Sequence, residues 1–347
     1  MTTVRSFFVV PGAVVTTLLR DAHRAVEDIV RTTYLWHDAG RTINPDSYFL
    51  RFDDKPEARI IALPAALKAP DPVSGLKWIA SYPRNIETNR QRASAVLILN
   101  DYETGYPLAL LEASQISAAR TAASATLAAG VLGDGKRMSR LGVVGAGVIA
   151  RTILDYLRAG AWTIGDCLVH DLNAGDAGRL AALASTFCAS ARTASLAETL
   201  TGASHVLFAT TAAAPYIQDR DWLRPGQIVL NISLRDLAPH LLLDAVNVFD
   251  DIDHCMKAST SPHLAEQMTG NRDFATGTLA DVLAGRLRPD RRRPIIFSPF
   301  GLGVLDIAVG RYLLDQAIAR SLAITIPDFL PDGTRWQASP GDPSDES

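Results

Sequence analysis

The sequence predicts an α/β protein in which a doubly wound parallel sheet is joined to a second, α+β domain. Three observations support this fold class. A glycine-rich turn follows an apolar run near residue 145, short apolar runs alternate with helical segments after it, and several strand-like segments precede it. Alternating strands and helices are typical of a parallel sheet with helices on both faces. The chain of 347 residues is long enough for two domains.

The glycine-rich turn has the G-x-G-x-x-A spacing of dinucleotide-binding domains. Gly145 permits a tight turn between strand and helix, Gly147 lets the backbone approach a pyrophosphate, and Ala150 lets the helix pack closely on the sheet. Apolar residues four apart then predict a helix that ends near Gly160. We therefore expect a Rossmann-type domain whose helix N-terminus faces phosphate. A glycine-rich turn of some other α/β domain is the alternative.

A second apolar run, 167–170, ends at Asp171. This residue lies about twenty positions after the glycine turn, where the fold places the carboxylate that holds the adenosine ribose hydroxyls. A carboxylate there disfavours a 2′-phosphate. The sequence therefore predicts NAD rather than NADP as the cofactor.

Composition and charge exclude several other classes of protein. A net charge of −3 leaves no electrostatic footprint for nucleic acid, and the arginine run 291–293 is typical of a solvated loop. Cys167, Cys188 and Cys255 lack metal-ligand spacing, so we expect buried thiols in a reducing compartment and no metal site. The N-terminus lacks a signal peptide, and no apolar stretch is long enough to cross a bilayer. We expect a cytoplasmic protein with no membrane or nucleic-acid partner.

The remaining elements follow from apolar periodicity. Before the glycine turn, the predicted strands are 5–10, 47–52, 59–64, 75–80 and 93–100, and the predicted helices are 14–38 and 110–132. After it, the predicted strands are 206–209, 228–232, 246–250 and 294–297, and a helix is predicted at 304–323. The domains are therefore expected at 1–120 with 304–327, for substrate binding and dimerisation, and at 121–303, for the dinucleotide. Residues 328–347, rich in Pro, Gly, Asp and Ser, are expected to be disordered.

Three cations interrupt apolar elements. Lys77 lies within a predicted strand, Arg51 interrupts a second strand, and Arg120 lies in a helix of small residues with no carboxylate in helical reach. Each one alone is more often a snorkelling or salt-bridged residue. Together they predict a site for a substrate with several carboxylates, in which arginine binds as a bidentate donor and lysine as a point charge.

Asp236 is the candidate base. It follows the predicted strand 228–232, whose carboxyl end should open into the ligand cleft of a doubly wound sheet. A carboxylate at that position can accept a proton. An equally good interpretation is that Asp236 caps the helix expected to begin near Ala238.

Several long motifs resemble the ornithine cyclodeaminase/mu-crystallin family over residues 7–319. They are Lys77-Trp-Ile-Ala-Ser, Ile98-Leu-Asn-Asp with Thr104-Gly-Tyr-Pro-Leu, and Glu112-Ala-Ser-Gln-Ile-Ser-Ala-Ala-Arg-Thr-Ala-Ala. Others are similar to the branch of that family that makes 2,3-diaminopropionate. These are Pro45-Asp-Ser-Tyr-Phe-Leu-Arg-Phe, Arg59-Ile-Ile-Ala-Leu-Pro-Ala, Arg92-Ala-Ser-Ala and Asn231-Ile-Ser-Leu-Arg-Asp.

The resemblance implies a homodimer and roles for individual residues. Arg51, Lys77 and Arg120 match positions that bind substrate carboxylates, and Asp236, with Lys77, matches the catalytic positions. The positions that match cofactor-binding residues are Thr121, Gly145, Ala146, Gly147, Val148, Ile149, Asp171, Thr210, Thr211, Asn231 and Ser233. True cyclodeaminases carry a glutamate in the strand that here contains Ala62, so ornithine is not the expected substrate.

The branch implies NAD-dependent oxidation of N-(2-amino-2-carboxyethyl)-L-glutamate to 2-oxoglutarate and L-2,3-diaminopropionate, in secondary metabolism. Hydride removal leaves an imine, and a water activated by Asp236 completes the hydrolysis. Other members of the family remain alternatives: an ornithine cyclodeaminase, an alanine dehydrogenase, a ketimine reductase, or a non-catalytic, crystallin-like nucleotide-binding protein. A structural interaction module is a further alternative from another class, and the specific cofactor turn argues against it.

Overall fold

A computed structural model describes residues 6–68 and 70–330 of the chain, and within them the backbone forms two sheets. The first sheet is mixed and has the order β16-β1-β7-β6-β5-β4-β2, with β3 paired to β4. Its strands are β1 (Phe7–Val10), β2 (Thr42–Ile43), β3 (Tyr48–Phe52), β4 (Lys55–Leu67), β5 (Val73–Ser81), β6 (Ala93–Asp101), β7 (Pro107–Glu112) and β16 (Ile324–Ile326).

The second sheet is parallel throughout and has the order β10-β9-β8-β11-β12-β15-β13-β14. Its strands are β8 (Arg137–Val144), β9 (Thr163–His170), β10 (Ser190–Thr193), β11 (His205–Phe208), β12 (Ile228–Asn231), β13 (Val246–Phe249), β14 (Ala275–Thr278) and β15 (Ile295–Ser298). The strand order reverses beside β8, which creates the crevice where doubly wound sheets bind ligands. The predicted fold class is confirmed.

Helices cover both sheets and connect them. They are α1 (Gly12–Arg20), α2 (His23–Asp38), α3 (Ser114–Leu132), α4 (Val148–Ala159), α5 (Ala174–Ala184), α6 (Leu196–Leu200), α7 (Pro239–Leu243), α8 (Ile252–Cys255), α9 (Ser261–Thr269), α10 (Leu279–Leu283) and α11 (Gly303–Ala319). Two short 3₁₀ segments, Pro83–Thr88 and Arg220–Trp222, lie in loops. Within the described ranges, no helix has the length and apolar character that crossing a membrane requires.

The bounds predicted for two helices are wrong. The helix expected at 14–38 is divided into α1 and α2 by a turn at Asp21 and Ala22, and each half buries its own apolar side chains. The helix expected at 110–132 begins only at Ser114, because Pro107–Glu112 pairs with β1 and β6 as a strand. Neither change carries a glycine or proline signal, so tertiary packing decided both.

The C-terminal region also differs from the expected pattern. The helix predicted at 304–323 ends at Ala319, and Ile324–Ile326 then pairs antiparallel with β1. Phe329, at the start of the segment expected to be disordered, stacks on Phe7 with ring centroids 4.2 Å apart. Residues 331–347, which carry the rest of that prediction, lie outside the described residues.

The first sheet has two faces of different character, and these position the site. Its inner face includes Leu63, Lys77 and Leu97, which are buried. Helix α11 covers this face so closely that a Cβ built on Gly310 would lie 2.1 Å from Leu97 Cδ2. The outer face includes Trp78, which is 39% exposed. Lys77 and Trp78 are consecutive, and side chains alternate between the faces of a strand.

The close approach of α11 predicts opposite effects for two helical Gly→Ala substitutions. Gly310→Ala should destabilise the protein by about 1–3 kcal/mol, because the added methyl forces α11 away from Leu97. Gly178→Ala in α5, where a Cβ meets no atom within 4 Å, should stabilise it by up to about 1 kcal/mol. Denaturant unfolding measures both, and equal destabilisation of the two variants would contradict this account of the packing.

Candidate active site

A buried ion-pair cluster joins three elements of the first domain. Lys77 on β5 donates to the Asp306 carboxylate of α11 with Nζ to Oδ2 at 2.6 Å. Arg120 on α3 approaches the other oxygen, with Nε to Oδ1 at 3.3 Å. The Ser117 hydroxyl lies 3.2 Å from Lys77 Nζ and 3.3 Å from Arg120 Nη2. Two of the predicted cations therefore meet on Asp306, which was not predicted as a site residue.

This cluster carries one net positive charge, because one carboxylate balances only one of its two cations. Burial lowers the pKa of Lys77 to about 8, the Asp306 carboxylate opposes that shift, and the Arg120 guanidinium adds to it. A buried excess of positive charge is costly unless an anion neutralises it. The cluster is therefore suited to bind one carboxylate.

A turn from the second domain holds Arg120 in place. Gly301 has φ +95°, and a Cβ built there would lie 2.6 Å from Arg120 Nη1, so only glycine fits against the guanidinium. The amides of Phe300 and Gly301 donate to buried Asp250 at 2.9 and 2.7 Å. Asp250 thus fixes the turn, and the turn supports the arginine.

Arg51 lies apart from this cluster. It is exposed on β3, opposite Arg59 of β4, and its guanidinium carbon lies 5.2 Å from the centre of the Phe49 ring. The structure therefore joins Lys77 to Arg120 and leaves Arg51 beside a different arginine.

The predicted dinucleotide turn lies at the carboxyl end of β8. Gly145 has φ +95°, and a Cβ there would lie 2.5 Å from the Ala209 carbonyl oxygen. Gly147 is the N-cap of α4, with no side-chain cap and no atom within 4 Å of a built Cβ. Asp171 follows β9 and accepts from the Ala146 amide at 2.7 Å. An uncapped helix N-terminus with open space in front of it, beside a carboxylate, fits a dinucleotide.

The carboxyl ends of β11, β12 and β15 lie side by side in the parallel sheet and carry further candidate cofactor-binding residues. Asn231 is fully buried, donates from Nδ2 to Ser298 Oγ at 3.0 Å, and leaves its Oδ1 without a hydrogen-bond partner. A buried unpaired amide oxygen suits a ligand donor such as a carboxamide. Thr210 follows β11 and is half-buried, whereas Thr211 is exposed. Thr121 on α3 donates to the Ser117 carbonyl oxygen at 2.7 Å.

Asp236 is completely buried and accepts from three hydroxyl groups. Thr210 donates to Oδ1 at 2.6 Å, Tyr216 donates to the same oxygen at 2.9 Å, and Ser233 donates to Oδ2. Burial and the adjacent Asp236 carboxylate raise the pKa of Tyr216. The capping alternative is wrong, because α7 begins at Pro239 with Ala238 as its N-cap and no side-chain cap.

The cofactor half and the cation cluster are structurally continuous. Asn231 bonds to Ser298, and Gly301, three residues further along the chain, lies against Arg120. The fold and site therefore define an α/β protein of two sheets, in which a glycine turn that fits a dinucleotide and a buried cation cluster lie on connected elements.

The chain belongs to the ornithine cyclodeaminase/mu-crystallin family, whose model matches residues 14–321. It is 30% identical over 279 residues to N-((2S)-2-amino-2-carboxyethyl)-L-glutamate dehydrogenase of Staphylococcus aureus, which covers 77% of this chain and 82% of that protein. The family predicted from the motifs is thereby confirmed.

Two solved structures share the fold. Thermococcus litoralis Δ1-pyrroline-2-carboxylate reductase in complex with NADH and L-proline matches with TM-score 0.84, 23% identity, and coverage of 92% of this chain and 100% of that chain. An archaeal alanine dehydrogenase dimer with bound NAD matches with TM-score 0.81, 24% identity, and coverage of 94% and 100%. The predicted enzyme class, an oxidoreductase, is confirmed by the relatives, and the predicted cofactor agrees with the NADH and NAD in these complexes.

Two residues of the site were not predicted from the sequence. Asp306 lies in a helix that was predicted from its apolar spacing alone. An acidic residue between Leu305 and Ile307 was nevertheless a signal of a site residue. Tyr216 lies in a loop, twenty residues before the carboxylate it contacts. Only the folded chain brings these groups to their partners.

The ion-pair cluster predicts a lysine that titrates abnormally. NMR of ¹³C-labelled lysine side chains should detect one lysine with a pKa of about 8, which Lys77→Arg removes. Asp306→Asn should lower that pKa further, because the carboxylate that stabilises the charged form is lost. If every lysine titrates near 10.5, the described burial of Lys77 is wrong.

Proposed function

We propose that the protein is an NAD-dependent dehydrogenase that converts N-(2-amino-2-carboxyethyl)-L-glutamate to 2-oxoglutarate and L-2,3-diaminopropionate. The observation that carries this proposal is the net-positive pocket of Lys77, Arg120 and Asp306 next to the dinucleotide cleft. The similarity to the S. aureus dehydrogenase supports the choice of substrate.

The cofactor would be held by the Gly145–Gly147 turn, with Asp171 at the adenosine ribose and Asn231 Oδ1 at the carboxamide. Bound NAD supplies a hydride acceptor. The protein positions the substrate, because Lys77 and Arg120 bind the carboxylate beside the reacting α-carbon. Fixing the donor carbon in this way is worth several orders of magnitude in rate.

Asp236 takes the proton from the water that attacks the substrate imine. Because its carboxylate is enclosed, the proton passes through the hydroxyl of Ser233 or Tyr216, which are partly exposed and bonded to it. The third hydroxyl, that of Thr210, holds Oδ1 in a fixed orientation. Addition of water to the imine carbon gives a carbinolamine, and return of the proton from Asp236 to the substrate nitrogen lets the C–N bond break, which releases the 2-oxo acid and the free amine.

An assay with the native chain tests the reaction. N-(2-amino-2-carboxyethyl)-L-glutamate plus NAD should give NADH absorbance together with 2-oxoglutarate and 2,3-diaminopropionate in equal amounts by mass spectrometry. L-alanine and L-ornithine are the comparison substrates. Faster NADH formation from L-alanine, or conversion of ornithine without net NADH, would overturn the proposed substrate.

Asp236→Asn should separate binding from chemistry. The variant keeps the shape of the side chain but lacks the base, so turnover should fall about 100-fold or more while NAD affinity is unchanged. Stopped-flow NADH formation and NAD titration measure the two quantities. Native turnover in this variant would contradict the role of Asp236.

We also propose that the outer face of the first sheet is the interface of a homodimer. Tyr48, Leu50 and Trp78 are exposed on that face and are joined there by partly buried Ile60 and Ala62. A contiguous apolar patch on a sheet is typical of a protein interface. The alanine dehydrogenase with the same fold is a dimer.

Trp78→Glu should convert the dimer to a monomer, because it places a charge within the apolar patch. Sedimentation equilibrium measures the change. Ile86→Glu, which alters an exposed apolar residue of the segment Pro83–Thr88, is the matched control and should leave the dimer intact. A monomeric native chain would refute this interface.

A further inference from the structure

A row of polar side chains crosses the inner face of the first sheet beyond the N-terminal end of α11, which packs against Leu63. Arg51 of β3 is opposite Arg59 of β4, and Arg59 is opposite Ser81 of β5. Arg92, just before β6, donates from Nη1 to Ser81 Oγ at 2.7 Å. Residues paired directly across antiparallel strands share a face, so Arg51, Arg59 and Ser81 lie on the same face as Lys77, and Arg92 reaches that face through its bond to Ser81.

A fourth arginine reaches this row from the second domain. Arg235, next to Asp236, follows Leu234, which has φ +68°, and donates to the Ala258 carbonyl oxygen at 2.7 Å. Its charge and those of Arg92 and Arg51 all lower the pKa of the Arg59 guanidinium, after the larger effect of burial. The four arginines are therefore close neighbours, and the row spans both domains.

Arg235 has one carboxylate neighbour, Asp236, which opposes the lowering of its pKa by burial and by Arg51, and the other three arginines form no salt bridge within the described residues. Arg92 and Arg235 donate to a hydroxyl and a carbonyl oxygen, and burial alone lowers the pKa of Arg92. Arg59, Arg92 and Arg235 are half-buried, so water screens their mutual repulsion only in part. Arginines that were fully solvated at a surface would move apart, whereas the four arginines of this row lie close together. An anion is the partner that such an arrangement lacks.

The arginine row lies at a defined distance from the cation cluster. Lys77 and Ser81 are four residues apart on β5, and a strand rises about 3.4 Å per residue, so the two rows are about 14 Å apart along one face. The floor between them is Ile61 of β4 and Ile79 of β5, which are partly exposed. Because lysine and arginine side chains are long, the charged groups of the two rows can lie closer together than their backbones.

We propose that Arg59, Arg92 and Arg235, with Arg51 at the rim, form a second carboxylate subsite that selects a substrate with acidic groups at both ends. This inference rests on the proposed function and names the residues that determine its substrate class. One carboxylate of an extended amino acid binds at Lys77 and Arg120. A distal carboxylate of the same molecule binds among the arginines, while the apolar floor contacts its methylene groups.

The subsite also predicts that amino acids with one carboxylate bind weakly. Lys77 and Arg120 can bind any amino acid carboxylate, so they do not distinguish one amino acid from another. A half-buried group of guanidiniums left without an anion is unfavourable. The distal carboxylate removes this cost only when it is present.

Equilibrium binding to the enzyme–NADH complex tests the subsite without requiring turnover. The two ligands are N-(2-amino-2-carboxyethyl)-L-glutamate and the analogue whose γ-carboxylate is a carboxamide. The native chain should bind the acid about tenfold or more tightly than the amide by isothermal titration calorimetry. Arg59→Gln and Arg92→Gln should each reduce this preference to about threefold or less, and Arg59→Lys should restore part of it.

Arg84→Gln is the matched control, because Arg84 is an exposed arginine paired with Glu87 and should leave the preference unchanged. Unchanged NADH affinity in each variant shows that the fold and cofactor cleft are intact. A native preference that survives Arg59→Gln and Arg92→Gln, or no native preference at all, overturns the subsite. An arginine-dependent preference in an enzyme that fails to oxidise the acid supports the subsite and overturns the proposed reaction.

Discussion

The contact on which the site depends is the buried pairing of Asp306 with Lys77 and Arg120. One carboxylate on α11 holds a strand residue and a helix residue whose charges would otherwise repel each other inside the protein. A buried ion pair of this kind contributes little net stability, because desolvation offsets most of the attraction. Its value lies in orientation: the two cations present one remaining positive charge at a fixed place beside the dinucleotide cleft.

The two sheets contribute different chemical groups around that cleft. The parallel sheet ends in backbone amides, a buried asparagine and a carboxylate enclosed by hydroxyls. The mixed sheet contributes lysine and arginine on one face, and its alternation leaves the opposite face apolar. The proposed ligand site and the proposed dimer interface therefore use the same strands without competing, because consecutive residues such as Lys77 and Trp78 point to opposite sides.

Local patterns predicted most of the nucleotide domain. The spacing around Gly145 and the position of Asp171 depend on neighbours in sequence, so a single segment carries the signal. Asp306 could not be matched to its partners in the same way, because it lies 186 positions from Arg120. The separation of Arg51 from Lys77 depends on strand register, which the sequence does not specify without the pairing partner. The last three residues of β7, 110–112, were predicted as helix because the pairing of this strand with β1 and β6 is not local.

The long separation between Asp306 and its partners has a consequence for biosynthesis. At roughly 5–20 residues per second, about 10–40 seconds pass between the emergence of Arg120 and that of Asp306 from the ribosome. During that interval the nascent N-terminal sheet has no counter-ion for its interior cations and no helix over its inner face. The nucleotide domain can acquire its structure first, and the substrate pocket is completed last.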